Sequence, residues 1–233
     1  MLQAAADLPQ VTRVPAPWRL TGTGWIALLR MPRSATARRA FVPAALSASV
    51  AGPVSLLVCV DYLQAPCGPY REVLFVPGTM RFGDGRRRLS ISRILVSTWE
   101  SVVNGRANWG IPKDRADFDL ERRAGIDTFR VSSEGRDVCA FDFARPTGPR
   151  LPLNTALVPA RWRTLAQCYE GRRFVYRPEA RGTVRLARLL DWRCNPELFP
   201  DLSVAQPLLA LAVEEFEMVF PVAQVDPAAA GFC

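Results

Sequence analysis

The residue with the most distinctive chemistry in the sequence is Lys113, the single lysine of the chain. Lysine and arginine together number 30, so 29 are arginines, and histidine is absent. Only lysine can lose its proton near neutral pH, and the neutral amine attacks carbonyl carbons to form Schiff bases. Lys113 follows the apolar, proline-restricted run "WGIP". This setting is expected to desolvate the amine and favour its neutral, nucleophilic form.

Several other kinds of catalytic site are excluded by composition. Without histidine, the chain cannot build a Ser-His-Asp triad, a Cys-His pair or an HExxH metal site. It also contains neither a GxGxxG fingerprint nor a P-loop. None of its six cysteines forms a CxxC pair, and their spacing matches no zinc pattern. We therefore expect reduced cysteines, no metal and no cofactor.

The net charge of +8 and the pI near 9.7 raise the question of a nucleic-acid partner. The arginines are dispersed, however, and their densest run, "GDGRRRLS" at 83–90, is predicted to be a solvated hairpin turn at Asp84-Gly85. The longest apolar stretch, "VSLLVCV" at 54–60, is too short to cross a bilayer. No signal peptide is recognisable. The expectation is a cytoplasmic protein that binds neither nucleic acid nor membrane.

Many short strands separated by proline and glycine turns dominate the predicted secondary structure. Two short helices are expected, one capped by Ser34 and one over 99–106. These patterns predict a mainly β fold, either a barrel or a sandwich, in one domain over 1–233 with loose termini at 1–15 and 226–233. The predicted strands cover 24–31, 54–63, 71–77, 89–98, 116–120, 127–133, 137–144, 182–192 and 214–220.

Two motifs of the sequence resemble the acetoacetate decarboxylase family. "GRANWGIPKDRADF" at 105–118 is similar to a family signature that ends in the reactive lysine, with matches at Gly105, Arg106, Gly110, Pro112 and Lys113. "CGPYREVLFVPG" at 67–78 resembles the family's Gly-Pro-Tyr-x-Glu segment. Looser similarity covers most of the chain. The resemblance implies an antiparallel β-barrel in which Lys113 sits in a largely apolar cavity.

The resemblance also implies roles for individual residues. Lys113 is expected to condense with a small keto acid, and Glu72 is expected to transfer protons. Tyr70 is expected either to orient the substrate or to pack the cavity wall, and Arg106 either to bind the substrate or to buttress the loop. Trp109 is a candidate for lining the pocket, with a role in the core as the alternative. Relatives in this family assemble into oligomers, so a homo-oligomer is expected.

This sequence departs from the family pattern at three places. Asp114 follows Lys113 where the family has a second lysine, and it is expected to face away and pair with Arg115 or another arginine. Val58 stands near the position of a second acid, and the family's N-terminal arginine has only Arg19 and Arg30 as candidates. Three functions stay open: decarboxylation of a β-keto acid, aldolase or dehydratase chemistry on an α-keto acid, and non-catalytic binding of a small molecule.

Overall fold

The computed structural model describes residues 8–32, 40–52 and 54–227 of the chain. The helix that the sequence predicts after Ser34 falls largely on 33–39, outside the described residues. The described helices are α1 (Ala44–Ser47), α2 (Trp99–Trp109) and the 3₁₀ turns Thr155–Leu157 and Ala160–Trp162. The strands are β1 (Trp18–Arg30), β2 (Val54–Gln64), β3 (Tyr70–Val76), β4 (Thr79–Arg81), β5 (Arg87–Leu89), β6 (Arg93–Val96), β7 (Lys113–Arg115), β8 (Asp117–Arg123), β9 (Ile126–Ser133), β10 (Arg136–Asn154), β11 (Leu165–Tyr169), β12 (Arg172–Tyr176), β13 (Glu179–Cys194), β14 (Gln206–Phe220) and β15 (Gln224–Pro227).

Ten of these strands form one sheet that curls into a nearly closed barrel. Their order is β7-β6-β3-β2-β1-β14-β13-β10-β9-β8, so the two edges are strands that follow each other in the chain. Trp25 of β1 stacks on Phe143 of β10 and meets Phe129 of β9 edge to face, which brings distant strands together inside the barrel. The predicted mainly β, barrel-type fold is confirmed.

The two faces of this sheet carry separate apolar cores because side chains alternate along each strand. One core fills the barrel interior and includes Trp25, Cys59, Phe75 and Phe141. The other lies on the outer face of β1, β2, β3 and β6, beneath α2 and a second sheet in the order β15-β12-β11-β5-β4. Lys113 belongs to this outer region, as the site geometry shows below.

Helix α2 is the crossover that joins the two parallel strands of the main sheet. Most neighbouring strands are antiparallel, but β6 and β7 run parallel, with Ile94 opposite Lys113. A parallel pair requires a crossover connection, and here it is α2. The Thr98 side chain accepts a hydrogen bond from the Ser101 N–H at the start of α2, and Gly110 ends the helix in the left-handed conformation. The sequence predicts α2 but not the parallel pairing.

Three of the predicted strands agree closely with the structure. Those predicted at 54–63, 71–77 and 127–133 match β2, β3 and β9 to within one residue at each end. The stretch 89–98 divides into β5 and β6, which belong to different sheets. Five strands extend at least three residues beyond the predicted ranges, namely β1, β8, β10, β13 and β14. Strands β4, β7, β11, β12 and β15 were not predicted separately.

Parts of both expected loose termini are bound to the fold. The backbone of Thr12 and Val14 is hydrogen-bonded to the side chain of Asn104 in α2. Near the other end, Asp226 lies in β15, which pairs with β12. These contacts differ from the expectation of loose termini, and residues 1–7 and 228–233 lie outside the described part.

Among the described cysteines, four follow the expectation of reduced thiols and one does not. Free thiols are present at Cys59, Cys67, Cys139 and Cys194, whereas Cys168 is disulfide-bonded. Within the described residues, no helix is both long and apolar enough to span a bilayer.

Candidate active site

The Lys113 amine is buried and held by two side chains. Its Nζ donates hydrogen bonds to Glu72 Oε2 at 2.9 Å and to Ser101 Oγ at 3.0 Å. The residue is 3% exposed, Glu72 4% and Ser101 not at all. The structure therefore brings together the two residues that the sequence predicts to do the chemistry. Because Glu72 is an acceptor in contact with Nζ, it is placed to take the proton that an attacking amine must lose.

Tyr62 completes the bonding of Glu72. Its hydroxyl donates to Glu72 Oε1 at 3.2 Å, so each carboxylate oxygen has its own donor. Tyr62 and Glu72 lie on neighbouring strands, β2 and β3, with Tyr62 opposite Tyr70. Burial, reinforced by the nearby Glu72 carboxylate, raises the pKa of the Tyr62 phenol well above its usual value. Tyr62 thus remains a protonated donor near neutral pH.

Tyr70 forms part of the wall beside the lysine. Its ring lies with its centroid 5.0 Å from Lys113 Nζ and 4.6 Å from the Tyr62 ring centroid. Burial is the main cause that raises the Tyr70 pKa, followed by the Glu72 charge. The position is compatible with both roles expected from the sequence, since Tyr70 packs in the wall and its ring lies beside the amine.

A cavity of about 20 Å³ lies between Lys113, Glu72 and the aromatic side chains. This is room for about one water molecule. Its polar lining consists of Lys113, Glu72, Tyr62 and Tyr70, and the rest is aliphatic or aromatic. The largely apolar surroundings expected for the lysine are therefore present, but a substrate would need the walls to move apart.

Trp109 lines this cavity and is also anchored in the outer core. Its indole N–H donates to the Pro221 carbonyl at 2.7 Å. Its ring meets Trp18 and Phe220 edge to face. The two roles considered from the sequence, core and pocket lining, therefore coincide in Trp109.

Asp114 points away from the amine, as its position in an extended strand predicts. One carboxylate oxygen accepts from Arg106 at 2.9 Å, and the other is paired with Arg93. Arg115, which the sequence suggested as a partner of Asp114, is instead paired with Asp117. Because Asp114 is neutralised by two arginines on the other side of β7, its charge is kept from Lys113.

Arg106 is placed as a buttress of the lysine strand. Its Nε donates to the Lys113 carbonyl at 2.8 Å, and its guanidinium holds Asp114. It does not line the cavity beside the amine. Of the two roles predicted for Arg106, these contacts agree with positioning of the loop rather than with contact to a substrate.

Neither candidate for the family's arginine reaches the cavity. Arg19 is exposed on β1 between Trp18 and Leu20, whose side chains are buried on the cavity face. Arg30 is exposed at the end of the same strand. Val58 lies on β2 opposite Leu74, so no acid replaces the one missing from the sequence at that point.

Ser101 and Tyr62 are site residues that the sequence analysis did not identify. Neither belongs to the two motifs, and both lie in segments predicted only as secondary structure. Their positions in the predicted elements could have identified them. Ser101 lies one turn before Gly105 on α2. Tyr62 lies near the end of the predicted strand, opposite Tyr70. In the described part of the chain, no group of three or more Cys, Asp or Glu side chains could hold a metal.

The comparisons place this fold among known proteins. No family model matches the sequence, and neither does any curated protein. Among solved structures, acetoacetate decarboxylase from Legionella pneumophila is similar, with a TM-score of 0.68, 13% identity and coverage of 96% of this chain and 93% of that one. An acetoacetate decarboxylase-like enzyme from Sphingomonas wittichii has a TM-score of 0.67, with 12% identity and coverage of 97% and 99%.

A third similar structure is the enduracididine biosynthesis enzyme MppR in complex with pyruvate. Its TM-score is 0.60 at 17% identity, with 91% of each chain covered. The chain therefore has the fold of the acetoacetate decarboxylase-like superfamily. The fold that the sequence resemblance implies is therefore confirmed. Similarity of fold does not by itself define the reaction.

Proposed function

We propose that the protein is a Schiff-base-forming carbon–carbon lyase that acts on a small carbonyl substrate through Lys113. The observation that carries this proposal is the buried Lys113 amine 2.9 Å from the Glu72 carboxylate in a cavity wall that is otherwise aromatic and aliphatic. A salt bridge that only stabilised the fold would be expected at the surface, because burying an ion pair costs free energy. Catalytic amines, in contrast, require desolvation and a base within reach.

The proposed reaction begins when Glu72 takes a proton from the Lys113 ammonium. The neutral Nζ adds to the substrate carbonyl carbon, and the resulting carbinolamine loses water to give an iminium ion. The bond between the α-carbon of the iminium and the departing carbon group then breaks. Its electron pair moves towards the iminium nitrogen and leaves an enamine. The proton that Glu72 took from the amine leaves in that water, so Glu72 takes up a second proton, from solvent or from the β-hydroxyl group of an aldol substrate, and delivers it to the enamine carbon. Water then hydrolyses the iminium, which releases the product and restores the amine.

The first substrate class to test is a keto acid. Sequence resemblance to the acetoacetate decarboxylase family and the fold both support decarboxylation of a β-keto acid. The similar structure of MppR contains pyruvate, which supports the alternative, aldolase or dehydratase chemistry on an α-keto acid. Both begin from the same iminium on Lys113, so formation of that species is the common prediction.

The test is reductive trapping. We expect that incubation with acetoacetate or pyruvate followed by borohydride gives one covalent adduct per chain in the intact mass spectrum. Lys113 is the only side-chain amine, so peptide mapping has to distinguish it only from the N-terminal amine. Release of carbon dioxide in the same incubation separates a decarboxylase from an aldolase.

Lys113→Arg is the matched control because it keeps the positive charge and removes the nucleophile. It should abolish the adduct at position 113. Failure of the wild-type protein to form an adduct with a panel of small ketones and keto acids would contradict the proposal. An adduct without any turnover would instead favour the non-catalytic binding protein.

A further inference from the structure

We infer that the cavity at Lys113 selects uncharged ketones and aldehydes over keto acids. This inference rests on the proposed imine chemistry and narrows its substrate class. It departs from the keto acid that the sequence resemblance implies, and the reason is the set of charges that the structure places around the amine.

The charged groups in the cavity wall already balance each other. Among the described residues, the wall contains one cation, Lys113, and one anion, Glu72, and they are paired. Within the described part of the chain, no arginine is part of this wall. Arg106, which is buried, and Arg93, whose side chain is 11% exposed, are both bonded to Asp114 on the other side of β7.

Imine formation does not create a new positive charge for a substrate carboxylate. The protonated amine of the resting site and the iminium of the intermediate each carry one positive charge, and Glu72 offsets either of them. A substrate carboxylate would bring a second negative charge into an apolar cavity without a partner of its own. An isolated buried carboxylate is strongly disfavoured, so a keto acid would enter only if Glu72 first took up a proton.

The neutral polar groups of the cavity suit an uncharged oxygen atom. Tyr70 lines it and Ser101 contacts the amine from α2, whereas the Tyr62 hydroxyl is already donated to Glu72. Burial raises the pKa of both phenols, so they remain neutral hydroxyl groups. A hydroxyl donates to a ketone or alcohol oxygen without requiring a charge. A ketone with a second, uncharged oxygen on the β-carbon therefore matches the lining.

The test compares a keto acid with its own methyl ester. Acetoacetate and methyl acetoacetate at equal concentration are incubated together with the protein and cyanoborohydride, and the two reduced adducts on Lys113 are distinguished by mass. Nα-acetyllysine in a parallel tube corrects for the different intrinsic reactivity of the two carbonyl groups. After this correction, we expect the ester to label Lys113 at least about tenfold faster than the acid, because the acid must bury an unpaired charge.

Equal or faster labelling by acetoacetate would overturn the inference and leave the proposed imine chemistry intact. Absence of labelling by both compounds would overturn the imine proposal, and the inference with it. Pyruvate and methyl pyruvate form a second, smaller pair that should give the same order.

A substitution in the cavity tests the cause of the selectivity. Glu72→Gln removes the only negative charge from the described wall, so the ester's advantage over the acid should shrink at least about fivefold relative to wild type. The ratio is measured within one variant, so a general loss of reactivity does not affect it. Asp61→Asn removes a carboxylate that pairs with Arg71 outside the cavity, and it should leave the ratio unchanged. A ratio unaffected by Glu72→Gln would contradict the electrostatic explanation.

Discussion

The reactivity of Lys113 depends on which neighbours share its side of β7. Asp114 is adjacent in sequence, but its carboxylate is neutralised by Arg93 and Arg106 on the other side of the strand. Glu72 lies 41 residues away in sequence and is in direct contact with the amine. The carboxylate that is adjacent in sequence is therefore not the one that contacts the amine. The reason is that successive side chains of a strand point to opposite faces.

Gly105 leaves the space through which the Lys113 side chain reaches Glu72. A Cβ atom at position 105 would lie 2.7 Å from Lys113 Cδ and 2.8 Å from Cε. The atoms in conflict belong to a flexible side chain, so Gly105→Ala should fold and displace the lysine. Alanine also favours the helix by about 0.5–1 kcal/mol. We expect reductive trapping to fall about tenfold or more, as misplaced reacting groups lose rate steeply, while the urea midpoint is unchanged or higher.

The measurements for Gly105→Ala are trapping kinetics and urea unfolding of the same preparation. Loss of both reactivity and stability would indicate a disturbed helix rather than a displaced amine. Unchanged trapping would show that the amine reaches the substrate by another path, which would contradict the role of Gly105.

At the scale of the elements, the β6–α2–β7 crossover assembles the site. Helix α2 contributes Ser101 and Arg106, and β7 contributes Lys113, while β3 contributes Glu72. The end of α2 decides where β7 begins, since only three residues separate Trp109 from Lys113. A correct helix end is therefore a requirement for the position of the amine.

Gly110 is the residue that makes this helix end possible. Its φ of +61° favours glycine, and a Cβ there would overlap the Phe174 ring. Gly110→Ala should destabilise the protein by about 2–5 kcal/mol, the sum of about 1–2 kcal/mol of left-handed strain and about 1–3 kcal/mol of overpacking. Gly171→Ala is the matched control because Gly171 has φ +66° and no atom within 4 Å of a built Cβ. It should cost only about 1–2 kcal/mol.

Urea unfolding of the two glycine variants gives the comparison. The difference between them measures the steric contact with Phe174, since both share the conformational strain. Equal losses of stability would show that this contact costs nothing and that the close packing of α2 on β12 is not a constraint.

At the scale of the whole molecule, the site lies in the outer core and not within the barrel. The interior core is aromatic and aliphatic, with the thiols of Cys59 and Cys139 buried in it. The outer core contains the lysine, Glu72 and three buried tyrosines. Burial raises the pKa of the phenols in the outer core and of the Cys59 and Cys139 thiols in the interior, so both cores lose stability in alkaline solution.

The tyrosines provide a prediction for alkaline solution. Burial raises the pKa of Tyr62, Tyr70 and Tyr176, three of the four tyrosines in the chain. Because the folded state keeps these phenols neutral, their contribution is fully present below the unfolded pKa of about 10. It is lost as the pH rises from there towards the folded values. We expect the urea midpoint to fall steeply above about pH 10.

Absorbance titration of the phenols tests the same point. The three buried tyrosines should ionise together with unfolding rather than in the native protein. Titration of these three phenols at the pKa of model tyrosine, with retained circular dichroism, would contradict the burial of the outer core. A Tyr62→Phe variant should retain a smaller part of the pH dependence.

Much of the chemistry and of the strand content could be predicted from residue types alone. The single lysine, the lack of histidine and the two motifs designate Lys113 and Glu72, because few other side chains here can act as nucleophile or base. Alternating apolar residues locate β2, β3 and β9 within one residue, since half-buried strands impose a period of two. The order of the strands, and the parallel pairing of β6 with β7, depend on contacts between distant segments that no local pattern records.

Residue types and motifs therefore identify Lys113 as the available amine nucleophile and Glu72 as its candidate partner. Contacts between distant segments determine that Asp114 is neutralised away from the amine, that Ser101 and Tyr62 join the site, and that no arginine lines the described cavity wall. The physical reason is that charge and hydrogen bonding act through space. Their strength depends on which face of a strand a side chain occupies and on what is folded against that face.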